Sequence, residues 1–170
     1  MIYRAATLDD AEALAALGAE TFTAAFGHLY APKDLAAFLA EVHSPEAVAA
    51  EIAGEECTHR LAEDAGRLVA FCKLRHPSKF ASLSRARDPI ELAQLYALPH
   101  CTGKGIGAAL MDWALASART GGHDAVLLSV YAENFGAQRF YQRYGFDKIA
   151  DITFKVGDHH DPEYLYELSL

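Results

Sequence analysis

Hydrophobic positions change their spacing several times along the chain, and each change predicts a new element. Ile2 to Ala6 alternates as a short strand, and Thr7-Leu8-Asp9-Asp10 sets a hydroxyl three residues ahead of a carboxylate, as at a helix start. Leu14, Leu17 and Phe22 then mark one face of a helix over Ala11 to Phe26. Leu29 to Pro32 interrupts it. Pro32 opens a second helix, Lys33 to Val42, and Ser44-Pro45-Glu46 opens a third that runs through Ile52 to Gly54. Two strands follow, Thr58 to Glu63 and Leu68 to Leu74, joined by a turn over Asp64 to Arg67. His76 to Pro89 is polar and reads as a mobile loop, before a strand over Ile90 to Leu98.

The second half is sharper. Ile106, Leu110, Trp113 and Ser117 form one stripe of a helix over Gly103 to Thr120, closed by Gly121-Gly122. Ala125 to Tyr131 is almost wholly apolar, as in a strand covered on both faces. Ala137, Phe140, Tyr141 and Tyr144 share one side of a helix over Asn134 to Tyr144. Strands near Lys148 to Val156 and Tyr164 to Leu168 finish the chain, separated by a polar turn from Gly157 to Pro162. The order β-α-α-α-β-β-β-α-β-α-β-β predicts an α/β fold, a mixed and mostly antiparallel sheet flanked by helices.

Composition narrows the class. At 170 residues and 52% hydrophobic, the chain suits one domain over 1–170 with a full core. Fifteen Lys and Arg against 23 Asp and Glu, a formal charge of −8, exclude a general nucleic-acid binder, which needs a basic face. No run of apolar residues approaches a membrane span, and no basic-then-apolar leader opens the sequence, so a cytoplasmic protein is expected. Cys57, Cys72 and Cys101 fit neither a disulfide framework nor a metal spacing. Cys101 lacks a placed histidine and is expected to be inert. His159-His160-Asp161 is better read as part of a polar turn than as a metal site; no metal is expected.

The chemistry concentrates in Leu95-Tyr96-Ala97-Leu98-Pro99-His100-Cys101-Thr102-Gly103-Lys104-Gly105-Ile106-Gly107-Ala108. A strand passes through a glycine-rich turn straight into an amphipathic helix. There, backbone N–H groups and the helix dipole converge on an anion, with Lys104 adding a cation at the rim. The order of Lys104 and Gly105, with no Ser or Thr after them, fails the Walker pattern. Gly103, Gly105 and Ala108 match the dinucleotide fingerprint only formally, because too little chain follows for that fold.

This stretch resembles motif A of the GNAT N-acetyltransferase superfamily. A second segment, Asn134-Phe135-Gly136-Ala137-Gln138-Arg139-Phe140-Tyr141-Gln142-Arg143-Tyr144-Gly145-Phe146, is similar to that family's N-x-x-A-x-x-F-Y-x-x-x-G-F run. The resemblance implies acetyl-CoA as co-substrate and an N-acetyltransferase working by direct attack in a ternary complex. Leu95, Tyr96 and Ala97 would offer backbone to the pantetheine and acetyl oxygen. Thr102, Gly103, Lys104, Gly105, Ile106, Gly107 and Ala108 would hold the pyrophosphate, and Asn134 and Tyr141 would complete the cofactor site. Thr102 stands where the family carries Gln or Arg, so one side-chain anchor is missing.

Acetylation of an amine also needs a base and an acid. Glu91, in an otherwise apolar strand, is the candidate base, with a plain strand-edge carboxylate as the competing account. Ser129 occupies the position where some relatives carry a catalytic glutamate, and Glu133 is better explained as a helix-start carboxylate. Tyr141 is the candidate acid for the leaving thiolate, and it also fits the apolar stripe of its helix. The early block Glu20 to Leu35 and the ending from Phe154 are similar to the PaiA-type spermine/spermidine acetyltransferases, which implies a polyamine acceptor. A protein N-terminus, a lysine or another small amine stays open, as do a CoA-binding module without catalysis and a homodimer.

Overall fold

A computed structural model describes residues 1–170. The helices are α1 (Ala11–Phe26), α2 (Pro32–Val42), α3 (Pro45–Ala53), α4 (Ile106–Thr120) and α5 (Phe135–Arg143). The strands are β1 (Ile2–Ala5), β2 (Cys57–Asp64), β3 (Arg67–Arg75), β4 (Pro89–Ala97), β5 (Ala125–Tyr131), β6 (Asp147–Val156) and β7 (His159–Ser169). Their order along the chain is the one the pattern predicts.

Local signals set most boundaries. The Thr7 N–H donates to the Asp10 carboxylate at 2.8 Å, and a short 3-10 turn over Leu8–Asp10 precedes α1. Pro32 and Pro45 occupy first-turn positions, where a missing N–H does no harm. The Ser44 hydroxyl accepts from the Ala47 N–H and starts α3.

Three expectations are corrected. Helix α4 begins at Ile106 instead of Gly103, because Gly103 (φ +74°) and Gly105 (φ +81°) take left-handed conformations outside the helix. The expected turn over Gly157 to Pro162 shrinks to Gly157-Asp158, and His159 to Pro162 pair with β6. The Asp34 carboxylate of α2 accepts from the Asp158 N–H at 3.0 Å and fixes that tight hairpin. The polar segment after His76 is fastened down. His76 reaches Asp88 at 2.7 Å, the Lys79 N–H donates to Glu91 at 2.9 Å, and the Ser84 hydroxyl donates to Glu167.

All seven strands form one sheet in the order β1-β2-β3-β4-β5-β7-β6. Every neighbouring pair is antiparallel except β4 and β5, which run parallel. Successive residues of β3 define the two layers. The Cys72 thiol points to the Leu110 carbonyl of α4, whereas Lys73 Nζ bonds Glu51 of α3 at 2.8 Å. Helices α1 to α3 therefore cover one face, and α4 and α5 the other. Leu110, Met111, Ala114 and Ala118 of α4 are fully buried with Val126 and Leu128 in the main core. A smaller apolar cluster of Phe22, Phe38 and Val156 ties α1 and α2 to β6. No helix is long and apolar enough to cross a membrane.

Candidate active site

The parallel pair is the weak seam of the sheet. Only Pro89, Ile90 and Glu91 of β4 pair with β5, opposite Ala125, Val126 and Leu127. Just beyond, the register of β4 against β3 slips: Lys73 faces Gln94 and Leu74 faces Leu92, leaving Ala93 as an extra residue. Such a bulge bends the strand and re-aims its peptide groups. From Leu92 onward the two strands splay, and their facing backbone groups have no ladder partner in each other.

A cavity of about 770 Å³ fills that wedge and passes from one face of the sheet to the other. Its wall includes Leu95, Tyr96 and Ala97, the turn residues Thr102, Gly103, Gly105, Gly107 and Ala108, and Asn134 and Tyr141. Two predicted members are absent from the wall. Ile106 turns its side chain into the core, being the first helical residue on the buried stripe, and Lys104 is exposed beside the cavity without lining it. The Thr102 hydroxyl is spent on the Pro99 carbonyl at 2.8 Å.

On the α4–α5 side, a Cβ added at Gly103 or Gly105 would meet no atom within 4 Å, so the turn borders open space instead of packed protein. No side chain caps α4, and its first-turn N–H groups lack intrahelical acceptors. That is a cradle for an anion at a helix N-terminus. Arg143, at the end of α5, also lines the cavity and brings a cation to it. The Asn134 side chain accepts from the Ala137 N–H at 3.2 Å and starts α5.

The α1–α2 side differs in character. Phe22, Phe26, Tyr30 and Phe154 make an aromatic wall, and Phe26 meets Tyr131 edge-on at 6.3 Å between centroids. Glu163 of β7 is the only carboxylate on the whole lining. It stands opposite Tyr131, and Ser129 lies two residues away on the same face of β5. Burial pushes the Glu163 carboxyl up to about 7, a hydrogen bond with Ser129 opposes the rise, and the charge of Asp161 adds to it. Burial first, and then Glu163, push the Tyr141 hydroxyl up to about 12, so it stays protonated at neutral pH. The Tyr30 hydroxyl donates to Asp161, which anchors the strap between α1 and α2 on β7.

Glu91 is not brought to the cavity. It is 5% exposed at the closed end of the seam, where it meets Arg75 at 3.4 Å and accepts from the Lys79 N–H at 2.9 Å. A carboxylate held by a cation and a backbone N–H is an anchor, and the wedge opens one residue beyond it. Glu163 escaped the sequence reading because it sits just outside the strand that was expected. The sequence sets it among other acids, Asp158, Asp161 and Glu167, and only its pairing opposite Tyr131 singles it out.

A cavity that joins an anion cradle on one face to a carboxylate on the other suits the transfer of a group between two bound molecules. Comparison with known sequences supplies the class of group. The chain belongs to the acetyltransferase (GNAT) family, whose sequence profile matches residues 20–146. It is 35% identical over 159 residues to an uncharacterized N-acetyltransferase of Mycobacterium tuberculosis (strain ATCC 25618 / H37Rv), covering 93% of this chain and 96% of that protein. The fold matches the crystal structure of the PaiA N-acetyltransferase from Thermoplasma acidophilum in complex with coenzyme A, at TM-score 0.80 and 21% identity, over 99% of this chain and 98% of that one. It also matches Arabidopsis thaliana NAA60 in complex with acetyl-CoA, at TM-score 0.71 and 16% identity, over 99% and 98% of the two chains.

Proposed function

We propose that the protein moves the acetyl group of acetyl-CoA to a primary amine by direct attack, with both substrates bound at once. The observation that carries this reading is the through-sheet cavity, with its glycine cradle on one side and Glu163 on the other. The coenzyme A and acetyl-CoA in the Thermoplasma and Arabidopsis structures support the donor. In this chain the backbone of Gly103, Gly105, Gly107 and Ala108, with Arg143, would hold the pyrophosphate. The unpaired peptide edge of β4 from Leu92 to Ala97 would take the pantetheine arm and polarise the acetyl carbonyl, as backbone N–H groups do for a developing oxyanion.

An alkylammonium with pKa near 10.4 is only about one part in 10³ free base at pH 7, so its proton must be removed. Glu163, pushed up to about 7, is a base matched to neutral pH. It takes the ammonium proton, and the free amine then bonds to the acetyl carbon. The carbon–sulfur bond breaks, the Tyr141 hydroxyl gives its proton to the departing thiolate, and the second proton lost by the nitrogen returns Tyr141 to its neutral form.

The aromatic wall of Phe22, Phe26, Tyr30 and Phe154 supports an acceptor with an apolar body. A polyamine meets that description: its methylene spacers pack on rings, and its ammonium groups favour ring faces and a carboxylate. A peptide N-terminus is the competing acceptor. The test is thiol release from acetyl-CoA with spermidine, hexylamine and a short peptide, beside thermal unfolding with acetyl-CoA and NADP. Release that is fastest with spermidine supports the full reading. Fastest release with the peptide replaces the polyamine. A midpoint that acetyl-CoA fails to raise would remove the donor assignment altogether.

A further inference from the structure

Away from the cavity, three metal-ligating side chains from three separate segments converge at the closed end of the β4–β5 seam. His76 follows β3, Asp88 immediately precedes β4, and His123 lies two residues before β5. His76 Nε2 is 2.7 Å from Asp88 Oδ1, and His123 Nδ1 is 2.9 Å from Asp88 Oδ2. The two imidazole rings lie 4.6 Å apart between centroids, and one ligand atom from each of the three residues falls within 4.8 Å of the others.

We propose that His76, Asp88 and His123 bind a divalent transition-metal ion of the borderline class, represented by zinc, and that this ion staples the closed end of the seam. Two imidazole nitrogens and a carboxylate suit such ions, whereas calcium and magnesium take oxygen donors. Donors around a zinc ion at about 2.0–2.1 Å lie roughly 3.3 Å apart in a tetrahedron. The observed spread therefore closes with a movement of under ~1 Å by each side chain, with water taking the fourth position. The backbone is already held for it: the Asp124 carboxylate accepts from the Arg87 N–H at 2.7 Å and from the Asp88 N–H at 2.9 Å. His76 and Asp88 are open to solvent, which gives the ion a path in.

The position gives the site its consequence. Pairing between β4 and β5 starts at Pro89 and Ala125, beside Asp88 and His123, and stops after three residues. An ion joining these segments would hold together the one end at which the parallel strands meet, and it would do so without entering the cavity.

Calorimetric titration of the whole chain with zinc chloride tests the site, beside thermal unfolding across zinc concentrations up to ~0.1 mM. One ion per chain and a midpoint that climbs with zinc are expected. Both should be lost in His76→Ala and in His123→Ala, and retained in His160→Ala, which keeps the cluster and alters another exposed histidine. Cobalt(II) should give the intense visible bands of four-coordination with the unaltered chain, and not with His76→Ala. The proposal is overturned if zinc leaves the midpoint unmoved, or if His76→Ala and His123→Ala bind the ion as well as the unaltered chain does. Circular dichroism on the variants without metal separates loss of the site from loss of fold.

Discussion

The two ends of the β4–β5 seam each have a carboxylate beside them, Glu91 buried and Glu163 half-buried, and they treat it in opposite ways. At the closed end, Glu91 is surrounded by Arg75, the Ser78 hydroxyl and the Lys79 N–H. A few residues further, Lys73, only 1% exposed, bonds both oxygens of Glu51 at 2.8 and 3.0 Å. At the open end, Glu163 is desolvated among Tyr30, Tyr131 and Phe154 with no cation bonded to it, and its carboxyl rises to about 7. The lesson is about what accompanies burial. Buried charges paired with donors hold strands together, while a partly desolvated acid left beside a cavity can accept a proton near neutral pH.

The largest expected effect breaks the open end. Glu163→Gln should lower kcat by about 10²–10⁴-fold, the usual contribution of a placed base. In the unaltered enzyme kcat should climb with pH through an apparent pKa of about 7, because only the ionised carboxylate accepts a proton. That limb should vanish in the variant. Stability should move the other way. A carboxyl raised from 4.5 to about 7 on folding favours the protonated fold, so its contribution is full below pH 4.5 and fades as pH climbs through about 7. The melting point of Glu163→Gln relative to the unaltered chain should therefore rise between pH 4.5 and 8. A variant that keeps the rate and its pH limb would remove Glu163 from the mechanism.

The next effect sharpens the closed end. Glu91→Gln removes a charge-assisted anchor and should destabilise the fold by about 2 kcal/mol, lowering the midpoint by roughly 4–8 °C for a chain of this size. Its kcat, measured where the variant remains folded, should stay within about twofold of normal, well short of the change expected from losing a base. A large fall in kcat with an intact midpoint would reverse the roles assigned to the two acids.

The smallest effect probes the cradle. At Gly105 a side chain is strained by about 1 kcal/mol because φ is +81°, and its Cβ would enter the open space beside the turn. Gly105→Ala should therefore weaken coenzyme A binding severalfold by calorimetry, with little change in the pH profile. Unchanged affinity would mean that the backbone of this turn does not face the cofactor.

Much of the fold was legible because it is written in local chemistry. Periodicity located the five α-helices and the seven strands, and Ser44 and Asn134 mark helix starts that the structure keeps. Some errors fall where long-range pairing overrides local preference, while the start of α4 and the side taken by Ile106 follow from local backbone geometry. His159 to Pro162 look like a polar turn, yet the ladder with β6 and the Asp34 contact draw them into a strand. Ile106 belongs to the glycine motif by sequence, but helical phase turns its side chain to the core.

The sequence by itself determined the order of elements, the uncapped glycine turn before α4 and the tyrosine of α5, because each depends on residues close together in the chain. Only the tertiary structure decided which carboxylate meets the cavity. A strand residue's side depends on its phase in the sheet, and that phase is set by distant partners. The bulge at Ala93 opens the wedge just beyond Glu91, and the insertion of β7 between β5 and β6 sets Glu163 opposite Tyr131.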